Sequence, residues 1–211
     1  MFELWQWAYF HVHLKNKITV YKMMKKIFLI MVLMTLGTAI AEASCHPLPN
    51  LFQQQMIIGY GSLMHEQSKR ETSSDVSNNH PLFLKSYERR WNYQTQKNTY
   101  LGIKANPKST ISAAYFKVSH WSLYLYDLRE KNYCRVLVHT QNLIPLSKQQ
   151  SFPKGQYWVY IPQYPSEESL RIPPYYLEYY VKGCKKISQD YQNPLFFRSC
   201  LKIIPKKSRN L

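Results

Sequence analysis

The eight residues Ile57-Ile58-Gly59-Tyr60-Gly61-Ser62-Leu63-Met64 constrain this chain more than any other stretch. Two β-branched apolar residues run directly into Gly-Tyr-Gly-Ser. That pattern predicts a buried strand that stops in a tight turn. Gly59 and Gly61 are expected to supply positive φ or room for a ligand to approach the backbone. Successive N–H groups in such a turn converge on one point and suit an anionic group. An ordinary turn after a strand is the plain alternative reading.

The start of the chain reads differently. Lys25 and Lys26 precede the apolar run from Ile27 to Leu36, and Ala41-Glu42-Ala43 follows. A basic segment, a short apolar core and an Ala-x-Ala site make up a secretory signal peptide. The apolar run is shorter than the roughly 20 residues a membrane span needs. Met23 or Met24 is the natural start, so 1–22 is read as a spurious upstream extension and 23–43 as the signal. Residues 44–211 are expected to form a single domain that is secreted or periplasmic; an uncleaved N-terminal anchor is the rival reading. The whole chain carries 28 Lys and Arg against 12 acidic residues, a formal charge of +16. Five of the Lys and two of the acids precede residue 44, which leaves 23 against 10, or +13. Such an excess attracts polyanions and says nothing of fold.

The four cysteines, Cys45, Cys134, Cys184 and Cys200, all follow the cleavage site. An even number in an exported chain is compatible with disulfides, and three pairings are possible. Cys184 with Cys200 is favoured, because both fall in the helical C-terminal part. No Cys-x-x-Cys and no close His pair occurs after residue 43, so no metal is expected.

In order, the periodicity predicts strands at 56–60, 81–91, 101–105, 110–118, 133–139 and 156–161. Asn106-Pro107-Lys108-Ser109 is read as the turn of a hairpin, and 65–80 as a loop. Ser119 is a candidate N-cap, followed by Trp121, Leu125 and Leu128 on one helix face. Pro173 or Pro174 opens a helix to about Ile187, and Pro194 a short one to Leu201. These elements make a compact α+β domain.

One further stretch is Leu125-Tyr126-Asp127-Leu128-Arg129-Glu130-Lys131-Asn132-Tyr133. A Tyr-Gly-Ser-Leu turn followed 65 to 70 residues later by Leu-x-Asp-x-Arg-Glu resembles the γ-glutamylcyclotransferase superfamily, the ChaC-like branch most closely. The similarity extends from about Met56 to Cys184. It implies a small mixed β-barrel-like sheet, closed or nearly closed, flanked by helices, with the site at one mouth. It also implies a reaction. The α-amine of a γ-glutamyl group attacks its own side-chain carbonyl, giving 5-oxoproline and a free amine. No cofactor takes part, and the partner is a small-molecule γ-glutamyl substrate. An exported chain is not expected to meet nucleic acid, and the sequence gives no oligomeric state.

The resemblance implies roles residue by residue. Glu130 is the general acid/base; on bare sequence it reads as a solvated Glu between Arg129 and Lys131. Neighbours at i±1 do not face each other on a helix, so neither cation is expected to neutralise it. Tyr60, Gly61, Ser62 and Leu63 match the substrate-holding turn, and Tyr133 and Tyr160 the aromatic ligand contacts. Asp127 and Arg129 are expected to pair and fix the helix end. Arg89-Arg90-Trp91 resembles another family strand, with a sheet-edge salt link as the plainer role. The chain departs from the family pattern in Lys131-Asn132-Tyr133, in Ala113-Ala114 where a Gly is common, and in its export signal. Ser62 is not a hydrolase nucleophile, since Met64 stands where Gly-x-Ser-x-Gly needs glycine. Two rival functions remain: a ligand-binding module of the same fold without turnover, and a basic, Tyr-rich secreted surface protein that binds a polyanion.

Overall fold

The computed structural model describes residues 45–166 and 170–205. The expected signal peptide at 23–43, the extension before it and the basic tail from Lys206 lie outside the described residues. The strands are β1 (Gln55–Gly59), β2 (His80–Gln94), β3 (Thr99–Val118), β4 (Tyr133–Val138), β5 (Leu143–Ile144) and β6 (Gln156–Pro162). The helices are α1 (Glu66–Arg70), α2 (His120–Arg129), α3 (Pro174–Asp190) and α4 (Pro194–Leu201). One mixed sheet runs in the order β4-β6-β1-β3-β2-β5. Among the described strands only β1 and β6 pair in parallel; Met56 stands opposite Tyr157 and Ile57 opposite Trp158. β1 is therefore central, and all five of its residues are buried. A strand buried on both faces reads as a continuous apolar run, which is what Met56-Ile57-Ile58 is.

Each sheet face has its own core. α3 and α4 close one over Ile58, Leu84, Ile103 and Tyr180. α2 closes the other over Ile57, Phe116, Tyr126 and Trp158. Cys184 of α3 is bonded to Cys200 of α4, the pairing favoured from sequence. The second disulfide joins Cys45 to Cys134 and ties the lead-in to β4.

The expected hairpin at Asn106-Pro107-Lys108-Ser109 does not form. Residues 99–118 are one strand, and both halves pair with β2. Tyr87 stands opposite Ala105 and Lys85 opposite Thr110, so four residues of β3 bulge out against Ser86 alone. The turn chemistry is present: the Asn106 side chain accepts from the Lys108 N–H at 3.1 Å. It makes a bend instead of a reversal. Ser86 answers on the other strand with φ of 69°. Bulges bend and twist a strand pair. Here the outer half of the β2–β3 hairpin folds over the C-terminal end of β1. Gly102 lies so close to Pro162 of β6 that a Cβ would overlap its ring. Tyr133 donates to the Leu101 carbonyl at 3.1 Å, and the Ser166 N–H to Asn92 at 2.8 Å. The sheet keeps β4 and β5 as edges, yet this folded arm nearly closes one mouth.

Two further expectations are corrected. Residues 65–80 contain α1, capped by His65, whose Nδ1 faces the Ser68 N–H. Lys69 of α1 is fully buried, where it meets Glu66, the Ser77 carbonyl and Asn79. The apolar spacing of Trp121, Leu125 and Leu128 marks the wrong face of α2: Trp121 and Leu128 are exposed, and Ser122, Leu123 and Tyr126 are buried. The helix itself and its Ser119 cap are as expected; Ser119 accepts from the Ser122 N–H at 3.0 Å.

Candidate active site

The end of β1 is followed by a single 3-10 turn at Ser62–Met64, held by Met64 N–H donating to Gly61 and His65 N–H to Ser62. Gly59 and Gly61 do not use positive φ here. They are needed for closeness. A Cβ on Gly59 would sit 2.9 Å from Leu63 Cβ, and one on Gly61 2.7 Å from the Tyr176 hydroxyl. α3 presses on the same turn from outside: a Cβ on Gly183 would lie 2.7 Å from the Met64 carbonyl carbon.

The turn forms the floor of a cavity of about 390 Å³. The residues given catalytic or substrate-holding roles from sequence all line it: Tyr60, Gly61, Ser62 and Leu63 below, with Glu130, Tyr133 and Tyr160 beside them. The folded hairpin arm supplies Tyr93, Tyr100 and Leu101, α1 supplies Ser68, and α3 supplies Tyr175, Tyr176 and Tyr179.

Glu130 is the first residue after α2, with its N–H donating to the Tyr126 carbonyl at 2.8 Å. Its side chain is 16% exposed, and the cavity is where it opens. Burial pushes its carboxyl above the usual carboxylate range, and the adjacent Arg129 opposes that in part. The negative end of the α2 dipole acts in the same direction as burial. Arg129 does reach Glu130, without cancelling the rise that burial imposes. Arg129 Nε lies 3.2 Å from Glu130 Oε1, because the helix ends between them and no longer holds them apart. Arg129 also donates to the Ser68 carbonyl at 2.5 Å, to Thr72 at 2.7 Å and to the Ser68 hydroxyl at 3.0 Å, with Ser62 Oγ at 3.4 Å. Its planar fork thus joins α1, the turn and the acid.

Asp127 does not pair with Arg129. It accepts from the Tyr160 hydroxyl at 2.7 Å and faces Arg135 Nε at 3.4 Å. The Tyr60 hydroxyl in turn donates to the Tyr160 carbonyl at 2.7 Å. These bonds fix the two tyrosines against β6 and leave their rings as walls. Burial raises the hydroxyl pKa of Tyr60, Tyr133 and Tyr160, so all three stay protonated. Arg89 is buried, donates to the Ser112 carbonyl and lies over the Tyr180 ring, while Arg90 pairs with Glu88 at 2.7 Å. Neither lines the cavity.

Sequence reasoning missed Tyr176. It treated the Tyr175-Tyr176-Leu177-Glu178-Tyr179-Tyr180 stripe as half core packing, and Tyr180 is indeed fully buried. Tyr176, however, brings its hydroxyl to the turn, beside the Ser62 and Leu101 backbone, and lines the cavity there. The i, i+4 spacing of Tyr176 and Tyr180 places both on one helix face, but nothing in it tells a cavity wall from a core.

No family model matches the sequence, and no curated protein matches it. Solved structures do match. One described as a gamma-glutamyl cyclotransferase aligns with a TM-score of 0.58 over 74% of this chain and 92% of its own, at 13% identity. An uncharacterized Homo sapiens protein, loc79017, aligns with a TM-score of 0.58 over 73% and 90%, at 14% identity. YkqA from Bacillus subtilis aligns with a TM-score of 0.53 over 69% of this chain and 55% of its own, at 12% identity. The fold is the γ-glutamyl cyclotransferase fold. The likeness is to that fold as a whole and does not single out the ChaC-like branch. The chemistry open to this chain is set by what it places in the cavity.

Proposed function

We propose that this protein is an exported γ-glutamylcyclotransferase-like enzyme. It converts a γ-glutamyl amide to 5-oxoproline and the free amine, with Glu130 as general acid/base. One observation carries the reading: a buried carboxyl of raised pKa and a glycine-flanked turn share one small cavity. A carboxylate poised toward neutrality can take a proton from an ammonium and return it to a departing nitrogen.

The α-ammonium loses a proton to ionised Glu130, and its lone pair attacks the γ-carbonyl carbon. The new C–N bond closes the five-membered ring and places charge on the carbonyl oxygen. The Tyr176 O–H beside the turn, and the turn's own N–H groups, stabilise that oxygen. The ring nitrogen releases its second proton, the exocyclic C–N bond breaks, and Glu130 relays protons to the leaving nitrogen. The lactam keeps one N–H and the amine departs as an ammonium. Arg129 keeps Glu130 facing the cavity and favours its ionised form before the first step.

The two disulfides fit an oxidising compartment, which supports action outside the cytosol. Among the described residues no helix is long and apolar enough to cross a membrane. The test is to incubate protein from Cys45 onward with γ-glutamyl dipeptides and γ-glutamyl amines and to measure 5-oxoproline. Product that vanishes in Glu130→Gln supports the reading. Ligand binding without product from any of them replaces it with a binding module.

A further inference from the structure

The cavity has an unequal lining. Its floor is polar backbone, but its outer wall is a continuous run of tyrosine rings. Tyr133, 8% exposed, packs on Tyr93 with centroids 4.6 Å apart. Tyr93 packs on Tyr100 at 5.9 Å, and Tyr100 on Tyr176 edge-on at 5.0 Å. Tyr100 and Tyr175 hydroxyls lie 3.3 Å apart at the rim, where Tyr175 is 56% exposed. Asn132 anchors the Tyr93 hydroxyl at 2.6 Å. The wall therefore runs from the acid to the solvent, along the path a departing group must take.

Charge is scarce along that path. Glu71, Arg129 and Glu130 are the only charged residues among the described ones that line the cavity. Arg129 is the sole cation, and its nitrogens already serve Glu130, Ser68, Thr72 and Ser62. Lys69, Arg70 and Lys131, the basic residues next to lining residues in the chain, do not line it: Lys69 and Arg70 pair with Glu66, and Lys131 is exposed. A glutamyl group needs one anion site for its own α-carboxylate, and the turn with Arg129 offers one. A second carboxylate, on the leaving portion, would meet tyrosine, Thr95 and Asn132 side chains and no further cation in a lining whose other charges include Glu71 and Glu130, which is costly.

We infer that the leaving group is an aromatic amine that carries no carboxylate, so the substrates are γ-glutamyl arylalkylamides and not γ-glutamyl amino acids or peptides. The inference rests on the cyclotransferase reading above. Aromatic rings prefer edge-to-face or offset packing on tyrosine, and the Tyr93–Tyr100 corner presents both a face and an edge.

A matched set of probes tests it. γ-Glutamyl-tyramine and γ-glutamyl-tyrosine share the scissile amide and the ring and differ in one carboxylate. γ-Glutamyl-ethylamine lacks the ring. 5-Oxoproline release is measured for wild type, Tyr93→Leu and Tyr100→Leu, and binding of all three probes to Glu130→Gln by calorimetry. The expected kcat/KM for the tyramine probe exceeds that for the tyrosine probe by about tenfold or more, because one unpaired carboxylate is excluded. It exceeds that for the ethylamine probe by roughly three- to tenfold, the worth of ring packing. Both tyrosine variants, checked for fold by circular dichroism, bring the second ratio near one. Equal or better turnover of γ-glutamyl-tyrosine overturns the inference and leaves the activity standing. Turnover of none, with tyramine-probe binding tightest, overturns the activity and leaves the ligand class standing. Neither turnover nor binding overturns both.

Discussion

Arg129 Nε stands 3.2 Å from Glu130 Oε1 across a peptide bond where α2 ends. In an unbroken helix the two side chains would diverge by about 100°. The guanidinium opposes the rise that burial imposes on the acid. Replacing Arg129 by Leu removes that opposition. The acidic limb of a pH profile of kcat/KM for 5-oxoproline release is expected to move upward, and Arg129→Lys to restore part of the shift. A downward shift would contradict the arrangement.

Glu130 itself gives two readouts. Glu130→Gln keeps the size and removes the proposed proton relay, so kcat is expected to fall by about 10²–10⁴-fold with KM little changed. Stability responds in the other direction. At low pH the carboxyl is neutral in folded and unfolded chains and contributes no difference. As pH rises through the usual value of 4.5, the unfolded chain ionises first and the folded state loses ground until its own raised pKa is passed. Urea unfolding from pH 4 to 8 should therefore show wild type declining relative to Glu130→Gln. Parallel curves would mean that the acid is not perturbed.

The close approach of Gly61 to Tyr176 makes a paired prediction. Gly61→Ala places a Cβ 2.7 Å from the Tyr176 hydroxyl but 3.8 Å from its Cζ. The clash is with one oxygen, at the tip of a side chain packed against the turn. Overpacking of this kind costs about 1–3 kcal/mol. Tyr176→Phe deletes that oxygen, so the double variant should recover most of the loss in chemical denaturation. Activity should not recover, because the hydroxyl aimed at the substrate oxygen is gone. Additive losses in stability would refute the packing account.

How much of this was legible follows from which forces are local. β1 showed in sequence because a strand buried on both faces must be apolar throughout. The α2 cap and the Pro-opened helices showed because capping is short-range chemistry. The bend at 106–109 did not show, since the same four residues suit a reversal or a bulge; pairing with β2 decides, and that is a long-range fact. The buried face of α2 was misjudged because Ser122 and Tyr126 satisfy their hydroxyls, on Asp75 and on the Lys69 carbonyl, and so can be buried in place of Trp121 and Leu128. Glu130 and the turn were legible as motif residues. Tyr93, Tyr100 and Tyr176 were not, because their position depends on the bend and on α3 docking.

The bend gives the last prediction. Ser86 holds φ of 69° opposite the four extra residues, a region that costs a β-carbon-bearing residue about 1–2 kcal/mol. Ser86→Gly should relieve that cost and raise the urea midpoint with activity intact, since the bend is kept. Deleting residues 106–109 acts on the bend itself. Ala105 and Thr110 already pair with Tyr87 and Lys85, so the hairpin can re-form with Ser86 as a one-residue bulge on β2. The core strands keep their register, and a cooperative unfolding transition is expected to persist. The outer arm, however, no longer folds over β1, and Tyr93, Tyr100 and Leu101 leave the cavity wall. Turnover and binding of γ-glutamyl probes should be lost together while the disulfide between Cys184 and Cys200 still forms. A deletion variant that folds and retains full turnover would show that the arm is not part of the site.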